Sequence, residues 1–203
     1  MESFFNRVGP TWPAGRRDLH WHILPSSDEA VDLTAPYAGL PRPGLPGVPV
    51  EWMHCTLLHA VGLARTGVDL EGLLEDVGAF ARTVLPFALT FDRPAVGNVA
   101  VEISGWPQDP FASIVEYLPA AMRRAGGVFN AAPSWYPHMS VAYTSDGAEC
   151  LEAAGLKAEL AAIDGPLSAT VFADRLHLVE QWHDGRHITW EPVAVVPLGG
   201  VGI

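Results

Sequence analysis

The chain has 203 residues, of which 49% are hydrophobic, a length and composition that support a buried core and exclude disorder as the default state. Asp and Glu outnumber Lys and Arg by 23 to 12, and the formal net charge of −11 has the wrong sign for a protein that tracks a long phosphate backbone. With only 2 Cys and no apolar run near the N-terminus long enough for a signal peptide or a membrane span, the sequence reads as a soluble cytoplasmic protein with free thiols.

Residues 1–17 are punctuated by Pro and Gly and are expected to wrap the surface. Leu19-His20-Trp21-His22-Ile23-Leu24 reads as a first strand closed by Pro25, with His20 and His22 on one face and Leu19, Trp21 and Ile23 on the other. Ser27 and Asp28 can cap a helix running to about Leu40. The next stretch, Pro41 to Pro49, is too rich in Pro and Gly for regular structure and delivers the chain to a strand-like run, Glu51 to Leu58. Val68 to about Thr83 carries Leu70, Leu73, Leu74, Val77 and Phe80 at helical spacing. Pro86 to Phe91 and Ala95 to Ile103 read as two strands joined by an Asp92-Arg93-Pro94 turn. Phe111 to about Ala125 is a helix ended by Gly126-Gly127, and a loop from Asn130 to Trp135 leads to a second strand-like run, Tyr136 to Tyr143. Glu149 to Ile163 reads as helical. Residues 167–180 read as one long strand that turns through Asp184-Gly185 into His187 to Glu191. The order of elements is roughly two rounds of one plan.

Two short motifs carry the chemistry. His54-Cys55-Thr56-Leu57 is echoed by His138-Met139-Ser140-Val141, each a histidine followed two residues later by a hydroxyl. Strand side chains alternate faces, so in each copy the imidazole and the hydroxyl point the same way. The repetition predicts an internal duplication that brings two matching pairs to one cleft.

Paired His-x-Thr/Ser-x motifs on two strands resemble those of the 2H phosphoesterase superfamily, which includes the 2′-5′ RNA ligases and the 2′,3′-cyclic phosphodiesterases. The resemblance implies an α+β fold: one domain over 1–203 made of two similar, pseudo-symmetric lobes, with antiparallel sheets flanked by helices around a central cleft. It implies that His54, Thr56, His138 and Ser140 are the catalytic and phosphate-binding residues. The activity implied is metal-independent hydrolysis of a 2′,3′-cyclic or 2′-5′-linked nucleotide or a related small phosphodiester. Opening such a diester needs a base for the attacking water and an acid for the departing oxygen, and two imidazoles can share that work. The hydroxyls can donate to the non-bridging oxygens where charge accumulates. Reversible 2′-5′ RNA ligation is an alternative that the acidic charge disfavours. A non-catalytic module that binds a phosphorylated ligand or a protein partner is another. Many members carry a basic residue a few positions after a motif; this chain has His59 after the first and Tyr143 after the second.

The remaining candidates are read more plainly. His20 and His22 line the same cleft or hold a metal, but spacing supplies no third ligand, so no metal and no cofactor are expected. Trp135 and Tyr136 belong either to the core or to a base-stacking rim, and Tyr143 is expected beside the substrate. Cys55 falls on the opposite strand face and reads as a small core residue, not a nucleophile. Phe111 and Trp106 read as core, and His183 and His187 as exposed residues of a hairpin. The expected partner is a small phosphodiester or nucleotide, with short RNA ends as an alternative, and the chain is expected to act as a monomer away from membranes.

Overall fold

The computed structural model describes residues 1–199. A short helix, α1 (Phe4–Val8), precedes strand β1 (Asp18–Ile23). Helix α2 (Ser27–Thr34) starts from a capping box in which the Ser26 side chain and the Glu29 side chain satisfy each other's backbone N–H. It stops well short of Leu40, because Pro36 directs the chain into a 3₁₀ turn over Ala35–Tyr37. A second 3₁₀ turn, Val50–Trp52, leads to β2 (Cys55–Val61), and α3 (Leu70–Ala81) follows, capped by Asp69. Next come β3 (Phe87–Val96), β4 (Ala100–Trp106) and α4 (Asp109–Arg124). The second half holds β5 (Asn130–Pro133), β6 (His138–Tyr143), α5 (Ala153–Ala161), β7 (Ala169–Ala173), β8 (Arg175–His183) and β9 (Ile188–Pro197).

The strands form two antiparallel sheets, a five-stranded one in the order β5-β2-β1-β8-β9 and a four-stranded one in the order β6-β4-β3-β7. Helices α3 and α4 pack on the first sheet, and α2 and α5 on the second. This is the α+β, two-sheet architecture that the motifs imply. The chain passes between the sheets at β2 to β3, β4 to β5, β5 to β6 and β7 to β8, so neither lobe is one continuous half of the sequence. One apolar cluster, including Trp21, Phe91, Phe111 and Met139, runs through both lobes.

Several elements differ from the sequence reading. Asp92-Arg93-Pro94 is not a turn: β3 runs through it with a bulge between Phe91 and Arg93, and the reversal falls at Gly97, whose N–H bonds the Ala100 carbonyl. Pro94 is tolerated because β7 pairs only with Phe87–Phe91, leaving β3 open on one side where a missing donor costs little. The long strand over 167–180 is two strands in different sheets, broken at Asp174. Asn130–Pro133 pairs with β2 and is a strand, not a loop. The first 17 residues do more than wrap the surface, since Phe5 and Trp12 are buried in a satellite cluster with Ile188.

The Pro41–Pro49 stretch is pinned where it delivers the chain to the first motif. Val48 N–H bonds the Val141 carbonyl, and Ser145 N–H bonds the Gly44 carbonyl. Gly44 has φ +79°, and a Cβ there would meet the Gly147 and Ala148 backbone at 2.7–2.9 Å. Gly15 has a similar φ of +78° with nothing within 4 Å. Gly44→Ala therefore combines left-handed strain with a backbone clash and is expected to cost about 2 kcal/mol or more, against about 1 kcal/mol for Gly15→Ala. Urea denaturation of the two variants checks the ordering.

Candidate active site

His54 sits one residue before β2, on the extended segment leaving the Val50–Trp52 turn, and His138 is the first residue of β6. In both motifs the imidazole Nδ1 meets the carbonyl oxygen two residues upstream, His54 to Trp52 at 2.8 Å and His138 to Tyr136 at 3.1 Å. A carbonyl only accepts, so Nδ1 carries the hydrogen in each neutral ring, and Nε2 is left with its lone pair. Both rings, with Thr56 and Ser140, line one cleft of about 460 Å³ between the sheets. A larger open concavity of about 990 Å³ lies between Pro41–Gly47 and Asp184–His187 and contains no motif residue; the smaller cleft is the candidate site on chemical grounds.

The motif copies differ in depth. His54 is 6% exposed, and burial pushes its pKa down to about 4, opposed by the Trp52 carbonyl and helped by His138. Its ring stacks on that of His22 at 4.5 Å, and Trp190 stands edge-on to both. His138 is only half-buried, in tilted contact with the Tyr136 ring at 5.0 Å. The Tyr136 hydroxyl donates to Glu102 at 2.6 Å, and Glu102 lines the cleft opposite Ser140 in the β4–β6 pairing. Burial, with Glu102 adding and the Ser140 hydroxyl opposing, raises the Tyr143 phenol to about 12, so it stays a neutral donor on the cleft wall.

A row of imidazoles extends from His54 across the five-stranded sheet. His22 meets His20 edge-on at 5.6 Å, and His20 stacks on His59 at 3.9 Å. His59 Nε2 bonds the carboxylate of Asp18 at 2.9 Å. Arg16 grips the same carboxylate with two hydrogen bonds of 2.9 and 2.7 Å, and Gly62 N–H adds a third donor. Burial alone would raise the Asp18 carboxyl, but these bonds outweigh it and hold the group below its ordinary value. Burial lowers His20 and His22 well below the usual histidine range, with neighbouring imidazoles adding to the effect.

His59 reaches this face because β2 carries an extra residue. His22 pairs with Thr56 but Trp21 pairs with Leu58, so Leu57 is inserted and the alternation resets. Strict two-residue periodicity puts His59 on the far face from His54 and Thr56; the bulge returns it to the cleft. Glu102 and Gln181 also line the cleft, and neither stands out in the sequence.

The sequence-predicted residues distribute as follows. His54, Thr56, His138, Ser140, His20 and Tyr143 line the cleft. His22 lies beneath it, fully buried, with both ring nitrogens lacking a partner. Tyr136 touches the site through His138 and Glu102, whereas Trp135 is 80% exposed and outside the cleft wall. Trp106 is exposed, because its ring lies at the end of β4 with its N–H donating to Asp92. His183 is buried as the last residue of β8, bonded through Nε2 to the Trp12 carbonyl at 2.8 Å, and only the turn lies beyond it. Cys55 is buried on the opposite face, its thiol pushed up to about 12 by burial, with no thiolate available near neutrality. Among the described residues no group of three His, Cys, Asp or Glu side chains is placed to hold a metal ion. No helix among them is long and apolar enough to cross a membrane.

No protein-family model matches the sequence, and no curated protein matches it. Solved structures do. E. coli LigT complexed with NADP+ superposes with a TM-score of 0.64 at 15% identity, covering 91% of this chain and 99% of that one. The Thermus thermophilus protein TT0787 gives 0.61 at 17% identity, over 91% and 100% of the two chains. A structure described as a phosphoesterase gives 0.61 at 16% identity, over 91% and 100%. The chain has the fold of the 2H phosphoesterases. At these identities the likeness concerns the 2H fold alone, and the case for chemistry rests on the cleft.

The buried imidazoles link stability to pH. His20, His22 and His54 have folded pKa values below their ordinary 6.5, so the unfolded chain binds more protons as pH falls through that value. Stability is then complete above about pH 7 and declines below 6.5, each ring contributing a slope of about 1.4 kcal/mol per pH unit. For His54 the loss is complete near pH 4. Urea unfolding at pH 7.5, 6 and 5 should show this decline; a flat profile over that range contradicts the neutral assignment.

Proposed function

We propose that the chain is a metal-independent phosphoesterase that hydrolyses a 2′,3′-cyclic or 2′-5′-linked nucleotide, or a related small phosphodiester, by two-histidine acid–base catalysis. The observation that carries this reading is the matched pair of Nδ1-anchored imidazoles, each with a hydroxyl two residues on, lining one cleft. In the reading, His54 Nε2 takes the proton of the attacking water as the new P–O bond forms. His138, as imidazolium, gives its Nε2 proton to the departing sugar oxygen as the old P–O bond breaks. Thr56 and Ser140 donate hydrogen bonds to the non-bridging oxygens. His54 is assigned as base because burial keeps it neutral, and an anionic substrate in the cleft opposes that burial and strengthens it as a base. Structures of LigT with 3′-AMP and with ATP support a small nucleotide as the ligand class. The net charge of −11, with Glu102 inside the cleft, favours hydrolysis of a small diester over joining of RNA ends. One domain of two lobes, acting as a monomer in the cytoplasm with Cys55 and Cys150 as free thiols, completes the proposal.

The test is hydrolysis of a panel of 2′,3′-cyclic nucleotides and 2′-5′ dinucleotides with EDTA present. Wild type should turn over at least one member, and His54→Ala and His138→Ala should each lose roughly 10²-fold or more in kcat. Retained activity in either variant overturns the two-histidine mechanism. The pH profile gives a separate check. The acid limb of kcat/KM reports the free protein's base, so its midpoint should lie near the His54 value of about 4. An acid limb near 6.5 contradicts His54 as a buried neutral base.

A further inference from the structure

We propose that the end of the cleft around His59 is a subsite for a second phosphate of the substrate, so that the preferred ligand is a nucleotide phosphorylated at a position besides the reacting diester. The inference rests on the phosphodiester reading of the motif residues and adds a group they do not address. Three observations carry it. First, His59 shares the cleft face with Thr56 only because of the Leu57 bulge, and bulges beside functional sites re-aim side chains. Second, its Nε2 is held by Asp18, a carboxylate 1% exposed and itself locked by Arg16 and Gly62 N–H. With Nε2 donating to Asp18, Nδ1 is the ring nitrogen left for a ligand, and Arg16 already balances the Asp18 charge. Third, Gln181, which pairs with Asp18 across β1 and β8, also lines the cleft; it is 3% exposed, and its amide oxygen is buried with no hydrogen-bond partner. Such an orphan acceptor is costly unless a ligand hydroxyl or a water donates to it, so this end of the cleft is suited to a polar ligand.

The spacing fits one nucleotide. Thr56 and His59 lie opposite His22 and His20, two residues apart on β1, a separation of roughly 7 Å along the strand. A phosphate held by the motif residues and a second one at His59 are therefore at the distance of neighbouring phosphates on a single sugar. Trp12, edge-on to His59 at 5.1 Å, closes the far side of this end.

Calorimetric titration of the full chain with adenosine 3′-monophosphate and adenosine 3′,5′-bisphosphate tests the subsite. A charge-assisted hydrogen bond predicts that wild type binds the bisphosphate roughly tenfold or more tightly. In His59→Gln the side-chain amide can still donate to Asp18 but offers the cleft no cation, and the ratio should fall to about one. His59→Arg, which restores a cation, should keep the preference. Independently of any variant, the His59 ring resonances should shift with the bisphosphate and not with the monophosphate. Equal affinities in wild type, or an unchanged ratio in a folded His59→Gln, overturns the subsite while leaving the motif reading intact. If wild type binds neither nucleotide, the phosphodiester reading and the subsite fall together.

Discussion

The bond from each motif imidazole to the carbonyl two residues behind it constrains everything else in the cleft. An imidazole has two nitrogens and, when neutral, one proton; fixing that proton on Nδ1 determines what Nε2 can do. The turn that ends at Trp52 and the bend through Tyr136-Pro137 each present a carbonyl at the right height. Neither carbonyl belongs to a sheet ladder, since β2 and β6 begin only at Cys55 and His138. Moving either motif one residue deeper into its strand would spend that carbonyl on a neighbouring strand and release the ring. The placement of His54 one residue before β2 and of His138 at the first residue of β6 is what leaves these two carbonyls free for the rings.

Identical anchoring does not give identical rings. β2 is an interior strand, flanked by β1 and β5, and its motif histidine is covered by His22, Trp190 and the sheet behind it. β6 is the edge strand of the smaller sheet, and its histidine is half open. Burial disfavours the charged form of His54. Two matched residues are thereby placed in unequal surroundings, one ring buried and the other half open. The difference comes from sheet position, an interior strand against an edge strand, and not from the motifs themselves.

What was legible in the sequence follows the same logic. Period-two alternation and a repeated His-x-hydroxyl were enough to place His54, Thr56, His138 and Ser140 on one cleft, because those residues sit at regular positions. Alternation fails at irregular ones. His59 was hidden by Leu57, an apolar residue whose insertion leaves no trace in composition. Asp92-Arg93-Pro94 carries turn residues yet lies within a strand, because a bulge and an open edge absorb them. The break at Asp174 was invisible, since no Gly or Pro marks it and only the assignment of the flanking segments to different sheets separates them. His183 and Trp12 were misjudged because their burial depends on each other, across more than half of the chain.

That last pairing bears on how large a substrate the cleft admits. Trp12 packs against His20, His59 and His183 on the larger sheet, while Phe4 packs on Tyr143 of the smaller one at 4.7 Å. The N-terminal segment therefore touches both lobes at one end of the cleft, and Phe4 N–H is tied to the Thr144 carbonyl and hydroxyl. A groove open at both ends can thread a polymer; one walled by Trp12 and Phe4 presents a pocket. Its volume of about 460 Å³ lies within the range of sites that enclose one small ligand. The wall thus fits a small ligand better than the end of a long strand, and it does so independently of the acidic charge that points the same way.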